Sequence, residues 1–178
     1  MRLFVSSRLP KTVCAEVSEI MRQLPKPQIN PVDEDNLHFT LEFLGEVEEK
    51  NIPGIIIALE KISSSKFSAR LAGLGAFPNQ RRPNVVFLDC GLGSEHLVSL
   101  AKNVETALQP LGFFNDKPFR PHLTIGRVKS SVDLEEFFSN HADFSTDEFG
   151  IGSFALVGSQ LTPNGPEYKN VKLFPLRD

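Results

Sequence analysis

Short segments of alternating or consecutive apolar residues recur along this chain, with helical patterns between them. Arg2–Arg8 is predicted to be a strand because apolar residues fill its first half between arginines. Apolar positions recur at helical spacing in Thr12–Leu24 and again in Glu48–Ile62, where Pro53 is tolerated only in the first turn. Pro25–Asp35 contains three prolines and is predicted to be a surface connection.

The remaining segments continue the same order of elements. The pattern predicts a third helix from Leu97 to Leu111 and a short acidic helix around Asp133–Phe138. Strands are predicted at Phe67–Ala76, Asn84–Cys90, Phe144–Ile151, Ser153–Leu161 and Tyr168–Leu176. Strands and helices in this order indicate an α+β fold, with helices covering the outer faces of antiparallel sheets. Because no flexible linker separates the halves, we expect residues 1–178 to form a single domain of two pseudo-symmetric lobes with a cleft between them.

One four-residue pattern occurs twice, about half the chain apart, as His38-Phe39-Thr40-Leu41 and His122-Leu123-Thr124-Ile125. In a strand, side chains two positions apart share a face, so each histidine is expected to point with its threonine. The apolar residues between them then face a core. Two such strands at one cleft offer two imidazoles and two hydroxyls, the groups needed for acid–base phosphoryl transfer.

A single histidine–apolar–threonine triplet is ordinary strand composition and would indicate nothing. Two copies within matched flanking segments are a much more specific signal. His96 and His141 lack the pattern and are predicted to be surface residues. The candidate catalytic residues are therefore His38, His122, Thr40 and Thr124.

Further segments along the chain belong with the two motifs. They are Met1–Val5 with Leu9-Pro10, Asn36–Gly45, Gly75–Asn79 with Arg81-Arg82-Pro83, Phe119–Ile125 followed by Arg127, Ser159–Pro163, Gly165-Pro166, Tyr168 and Phe174–Leu176. Together they resemble the two-histidine (2H) phosphoesterase superfamily, and most closely its RNA 2′,3′-cyclic phosphodiesterase branch, also called 2′-5′ RNA ligases. Members often carry a tryptophan shortly before the first motif, whereas this chain has Pro31-Val32 there and no tryptophan at all. That difference concerns substrate stacking or packing, not the acid–base pair.

The resemblance implies hydrolysis of RNA 2′,3′-cyclic phosphate ends to 2′-phosphomonoesters, with 2′-5′ ligation as a related reaction. It also implies that His38 is the proton donor and His122 the proton acceptor. The chemistry requires one base for the attacking water and one acid for the departing ribose oxygen, and imidazole serves in either role near neutral pH. Hydroxyls of Thr40 and Thr124 would donate to the phosphate oxygens. This scheme requires neither a metal nor another cofactor, and none is expected.

Three further residues are candidates for substrate binding. Arg127 resembles a phosphate-binding arginine of the family, but strict alternation would point it away from His122, so a bulge at Gly126 is predicted to turn it back. Arg120 has the same parity as His122 and is predicted to face the cleft mouth. Tyr168, the only tyrosine, resembles a family position near the substrate, where its ring would stack on a base or simply pack.

Two loop arginines and four phenylalanines complete the predictions for individual residues. Arg81 and Arg82 would either touch the RNA backbone or be solvated loop charges. Core positions are predicted for Phe39, Phe43, Phe77 and Phe119.

Composition fits a small globular enzyme. Of the 178 residues 40% are hydrophobic and 23% charged, and the net charge is −3. A negative chain does not bind polyanions indiscriminately, so any RNA contact must come from a local basic patch. No apolar run approaches the roughly 20 residues that span a bilayer. Cys14 and Cys90 lack metal-type spacing and are predicted to be reduced core thiols of a cytoplasmic protein. The protein is expected to be a monomer.

Two alternative functions stay open at the level of sequence. One is a phosphodiesterase that acts on a small cyclic nucleotide. The other is a non-catalytic module that binds RNA ends on the same scaffold, which would bind without turnover.

Overall fold

The computed structural model describes residues 1–115, 117–163 and 165–178. Its strands are β1 (Arg2–Arg8), β2 (Ile29–Pro31), β3 (His38–Glu46), β4 (Phe67–Ala69), β5 (Leu71–Phe77), β6 (Val85–Cys90), β7 (His122–Val128), β8 (Phe149–Ile151), β9 (Ser153–Thr162) and β10 (Gly165–Pro175). Its α-helices are α1 (Lys11–Met21), α2 (Ile52–Glu60), α3 (Ser94–Leu108) and α4 (Glu135–Asn140). Short 3₁₀ turns lie at Glu34–Asn36, Glu49–Asn51 and Gln109–Leu111.

The main sheet is antiparallel and joins both halves of the chain. Its strand order is β10-β9-β1-β3-β7-β6-β5, with β2 also paired to β7, while β4 and β8 form a separate two-stranded sheet. The two motif strands are neighbours at the centre, where Phe39 lies opposite Leu123. The predicted lobes are therefore the half-sheets β10-β9-β1-β3 and β7-β6-β5, and the α+β fold of antiparallel sheets with outer helices is confirmed.

One face of this sheet is covered by helices and forms the main core. Phe39 and Leu41 on β3, and Leu123 and Ile125 on β7, are at most 2% exposed. α3 packs on β3, and α1 packs on β7. Burying each such side chain stabilises the fold by about 1.5–3 kcal/mol, and a register slip of one residue would bury the histidines instead. The opposite face, called here the cleft face, carries both motif histidines and threonines.

The prediction that Pro25–Asp35 is only a surface connection is wrong, because Ile29–Pro31 within it forms strand β2. Ile29 is buried and pairs with Val128, and Pro31, at the end of β2, pairs with Gly126. A short edge strand tolerates a terminal proline because no ladder N–H is required there. β2 thus supports the end of β7 that carries Arg127.

Two predicted strands have different extents. Phe67–Ala76 divides at Arg70, since β4 pairs with β8 whereas β5 pairs with β6. The strand predicted at Phe144–Ile151 is regular only at Phe149–Ile151, because the Thr146 hydroxyl bonds locally and donates to the Asp147 carbonyl. Pro53 does lie in the first turn of α2, as predicted.

Candidate active site

Hydrogen bonds of the same kind fix both motif histidines. Nδ1 of His38 lies 2.6 Å from the Asn36 carbonyl oxygen, and Nδ1 of His122 lies 2.7 Å from the Arg120 carbonyl oxygen. Because a carbonyl only accepts, each Nδ1 carries a proton and donates it. Among the described residues, Nε2 is the ring nitrogen that is left without a hydrogen-bond partner in each histidine, and it is the atom available to take or give a proton during a reaction.

His38 packs against two aromatic rings from its half of the sheet. Phe4 on β1 stacks on the imidazole with 5.0 Å between ring centroids. Tyr168 on β10 meets the imidazole edge-on at 5.5 Å and Phe4 at 5.1 Å. Tyr168 thus packs on the motif imidazole and restrains it, whereas its role in substrate binding stays a prediction.

His122 has the same kind of support from the other half. Phe77 on β5 and Phe87 on β6 present their rings to His122 at centroid distances of 5.0 and 5.4 Å. These two phenylalanines stack on each other at 4.3 Å. The prediction that Phe77 belongs to the core is wrong, because its ring packs on the cleft face beside His122.

The environment of His38 disfavours its charged form. Burial lowers the pKa of His38 to about 4, and the positive charges of Arg8, Arg127 and His122 act in the same direction. The bond to the Asn36 carbonyl acts against these effects. In the ligand-free protein His38 is therefore neutral at pH 7, so a proton-donor role requires the charge of a bound phosphate to raise its pKa.

A β-bulge follows each motif threonine. On β7, Thr124 pairs with Phe87 while Gly126 pairs with Val86, which leaves Ile125 as the extra residue. The alternation reverses there, so Arg127 points to the cleft face with His122, and the predicted bulge beside Gly126 is confirmed. A Cβ on Gly126 would lie 2.7 Å from a methyl group of Ile29, which explains the glycine.

The bulge on β3 is equivalent to that on β7. Thr40 pairs with Ser6 while Glu42 pairs with Val5, so Leu41 is the extra residue. The prediction that Phe43 lies in the core is consequently wrong, since the reversed alternation turns it to the cleft face, where it is 69% exposed. Phe39 is fully buried and Phe119 packs against the core, in agreement with their predictions.

Arg120 reaches the cleft mouth but already has a partner. Its guanidinium donates to both carboxylate oxygens of Asp89 at 3.0 and 3.1 Å. It also lies over the rings of Phe87 and Phe77, at 5.1 and 5.6 Å from their centroids. This geometry ties Arg120 to the aromatic pair that supports His122.

Three further residues, Phe4, Phe87 and Arg8, lie beside the motif histidines, and this position could not be predicted from the sequence. Phe4 and Arg8 have even parity on β1, and the register pairs Arg8 with His38. Their parity is visible in the sequence, but the pairing of β1 with β3 is not. Cys14 and Cys90 are both buried free thiols, as predicted.

A cavity of about 400 Å³ opens beside Tyr168. Its lining is acidic, and the residues concerned are Asp33, Asp35, Asn36, Thr162, Gly165, Pro166, Glu167 and Tyr168. Over the described ranges, His, Cys, Asp and Glu nowhere gather in a group of three that could hold a metal ion. In the same part of the chain, no helix is long and apolar enough to cross a membrane.

Two imidazoles with free Nε2 atoms, two threonines and an arginine on one sheet face define a site of the two-histidine phosphoesterase class. Comparison with protein families agrees, because the model described as LigT like Phosphoesterase matches residues 4–87 and 92–168. The chain belongs to this family.

Curated relatives and solved structures match the chain over nearly its full length. A protein of Archaeoglobus fulgidus named RNA 2′,3′-cyclic phosphodiesterase is 37% identical over 98% of this chain and 99% of its own. One of Thermotoga maritima with the same name is 34% identical over 95% and 92%. The crystal structure of a Thermus thermophilus protein superposes with a TM-score of 0.85 at 33% identity, covering 99% of this chain and 98% of that one. E. coli LigT complexed with 3′-AMP superposes at 0.84 with 25% identity and the same coverage.

Proposed function

We propose that this protein hydrolyses RNA 2′,3′-cyclic phosphate ends to 2′-phosphomonoesters without a metal ion. The observation that carries the proposal is the matched fixation of His38 and His122, each of which donates Nδ1–H to a backbone carbonyl and keeps Nε2 for the substrate. Relatives named RNA 2′,3′-cyclic phosphodiesterase support the choice of substrate.

The reaction proceeds by in-line displacement at phosphorus. Nε2 of His122 takes a proton from water, whose oxygen forms the new bond to phosphorus. The bond from phosphorus to O3′ breaks, and Nε2–H of His38 protonates the departing oxygen, which leaves the phosphate on O2′. Each proton-transfer role contributes typically ~10²–10⁴-fold in rate. Proton exchange with solvent then restores both rings.

Groups on the cleft face stabilise the negative charge of the phosphate. Hydroxyls of Thr40 and Thr124 donate to the non-bridging oxygens, and Arg127 supplies a full positive charge beside them. Because the substrate is itself an anion, its binding raises the pKa of His38 above the low value that burial imposes. The mechanism requires this rise to be large enough for His38 to carry a proton on Nε2 when substrate is bound.

The same geometry accommodates ligation. If the 5′-hydroxyl of a second RNA takes the place of water, the same two proton transfers give a 2′-5′ phosphodiester and release O3′. Hydrolysis and ligation then differ only in the nucleophile.

A phosphodiesterase for small cyclic nucleotides is the second candidate. The cavity of about 400 Å³ beside Tyr168 supports it by size, since ligand sites of this size hold a single small molecule, whereas the acidic lining opposes an anionic ligand.

Incubation with a cyclic-phosphate-ended RNA and with 2′,3′-cyclic nucleotides, in the presence of a chelator, tests the proposal. We expect turnover of RNA ends and 2′-phosphate products. A 3′-phosphate product, or loss of activity in chelator, would contradict the mechanism, and binding without turnover would indicate a non-catalytic module.

A further inference from the structure

We propose that an exposed basic surface beside the site binds the phosphate backbone of RNA on the 5′ side of its terminal nucleoside. This basic strip consists of Arg81, Arg82 and Lys129 and adjoins Arg127, which serves the cyclic phosphate itself. The inference rests on the proposed function and specifies its substrate class, because only an oligonucleotide has further phosphates for the strip to hold. It therefore predicts a preference for RNA ends over cyclic mononucleotides.

Strand register places the strip at the site. Val85 pairs with Phe77 on one side and with Arg127 on the other, so the loop before Val85 lies at the Arg127 end of β7. The Val128 N–H donates to the Asn84 carbonyl oxygen at 2.9 Å, which fastens the loop to the strand. Phe77, in the same row, contacts His122. The strip thus adjoins the catalytic face at Arg127 and continues outward from it.

The loop holds its two arginines in a defined turn. Oδ1 of Asn79 accepts the backbone N–H groups of both Arg81 and Arg82, at 3.0 and 3.1 Å. An ordered loop loses less conformational entropy when it binds a ligand. Both side chains are exposed.

The cations of the strip are available to a phosphate. Within residues 1–115, 117–163 and 165–178, none of its three members has a carboxylate oxygen within 4.0 Å, whereas Arg120 is engaged by Asp89. An unpaired arginine can donate to a phosphate without first losing an ion pair.

The other side of the site carries the opposite charge. Asp33, Asp35 and Glu167 line the cavity beside Tyr168. On a chain with a net charge of −3, this contrast steers a polyanion away from the β9–β10 hairpin and toward the strip. Charge and position therefore favour the same path for the RNA.

The test compares a cyclic-phosphate-ended hexanucleotide with the corresponding 2′,3′-cyclic mononucleotide over a range of salt concentrations. In the double variant Arg81→Gln with Arg82→Gln, kcat/KM for the hexanucleotide should fall on the order of tenfold at ~0.1 M salt. Its logarithmic salt slope should flatten by about 1.4, since each single-strand phosphate contact contributes about 0.7. Turnover of the mononucleotide should stay within about twofold of wild type, because it has no second phosphate for the strip to bind.

The matched control removes two charges from the helix-covered side of the protein. Lys61→Gln with Lys102→Gln changes exposed residues at the end of α2 and on α3. We expect wild-type kinetics on both substrates. If the arginine variant behaves like this control while wild type turns over both substrates, the strip proposal is wrong and the proposed function stands. If wild type turns over neither substrate, both are wrong.

Discussion

Phe43 and Arg127 hold equivalent places in the two halves of the sheet. Each lies three residues after its motif threonine, and a bulge at Leu41 or Ile125 turns each onto the face that carries the histidines. One half of the site therefore presents an exposed aromatic ring where the other presents a guanidinium. The pseudo-symmetric fold places two similar histidines on one face, and the difference between Phe43 and Arg127 makes the surroundings of the two histidines unequal.

Phe43 is expected to contribute to substrate binding through its exposed ring. Stacking of a base on an aromatic side chain is worth about 1–3 kcal/mol, so Phe43→Ala should raise KM by roughly tenfold or more with little change in kcat. Ile57→Ala, which removes an exposed apolar side chain from α2 on the helix-covered side, is the control and should leave KM unchanged. An unaltered KM in Phe43→Ala would show that the ring does not touch the substrate.

Arg127 is expected to stabilise the transition state. Arg127→Ala should cost about 2–4 kcal/mol in kcat/KM, as for the loss of one oxyanion donor, and Arg127→Lys should recover part of it. Thr40→Val and Thr124→Val should have milder effects. Steady-state kinetics with Arg22→Ala as control decide the matter, and an equal loss in the control would refute the assignment.

The low pKa of His38 has consequences for both titration and stability. An NMR titration of the imidazole should give a pKa near 4 in the ligand-free protein, and inorganic phosphate should raise it. Since the ordinary pKa of histidine is 6.5, the unfolded chain takes up this proton first, so the free energy of unfolding should fall as pH drops from about 6.5 to 4. His38→Gln should lose this part of the pH dependence, whereas His96→Gln should keep it.

The same titration bears on activity. The profile of kcat/KM against pH should be bell-shaped, and its limbs belong to the coupled pair of histidines. The acidic limb of kcat/KM reports ionisation of the free enzyme, whereas the acidic limb of kcat reports ionisation of the enzyme–substrate complex. The limb of kcat should therefore lie at higher pH, and Arg127→Ala should lower the curve without abolishing its shape. Coincident acidic limbs would mean that phosphate does not raise the pKa of His38.

Glu42 is a buried acid behind the first motif. Burial is the main cause that raises its pKa to about 7, with a smaller effect of Glu105. Asn115 donates to its Oε2, whereas Oε1 is buried without a hydrogen-bond partner among the described residues.

Because the pKa of Glu42 is higher in the folded state, stability is lost as pH rises from about 4.5 to 7. Glu42→Gln keeps an acceptor for Asn115 and should raise the free energy of unfolding at pH 8 by up to about 3 kcal/mol. At pH 4.5 it should have almost no effect. Denaturant unfolding at both pH values measures this difference, and the exposed-site variant Glu49→Gln should show none.

The motif strands and the helices that cover them could be predicted from the sequence, because both rest on local periodicity. The bulge before Arg127 could also be predicted, since a glycine inside a strand, here Gly126, often marks a bulge. The prediction for Phe43 is wrong for the same physical reason, because no glycine marks the bulge at Leu41. Strand β2 escapes prediction because its pairing with β7 is long-range and its prolines resemble a loop.

The central claim is that His38 and His122 act as one acid–base unit on a cyclic phosphate. The most direct measurement is hydrolysis of a cyclic-phosphate-ended RNA, in chelator, by His38→Ala, His122→Ala and the double variant, with His96→Ala as control. Each single variant should lose nearly all activity while remaining folded, and the double variant should be little worse than either, since residues that act as a unit are not additive. The control should retain wild-type activity. Near-wild-type turnover in either single variant would contradict the two-histidine mechanism.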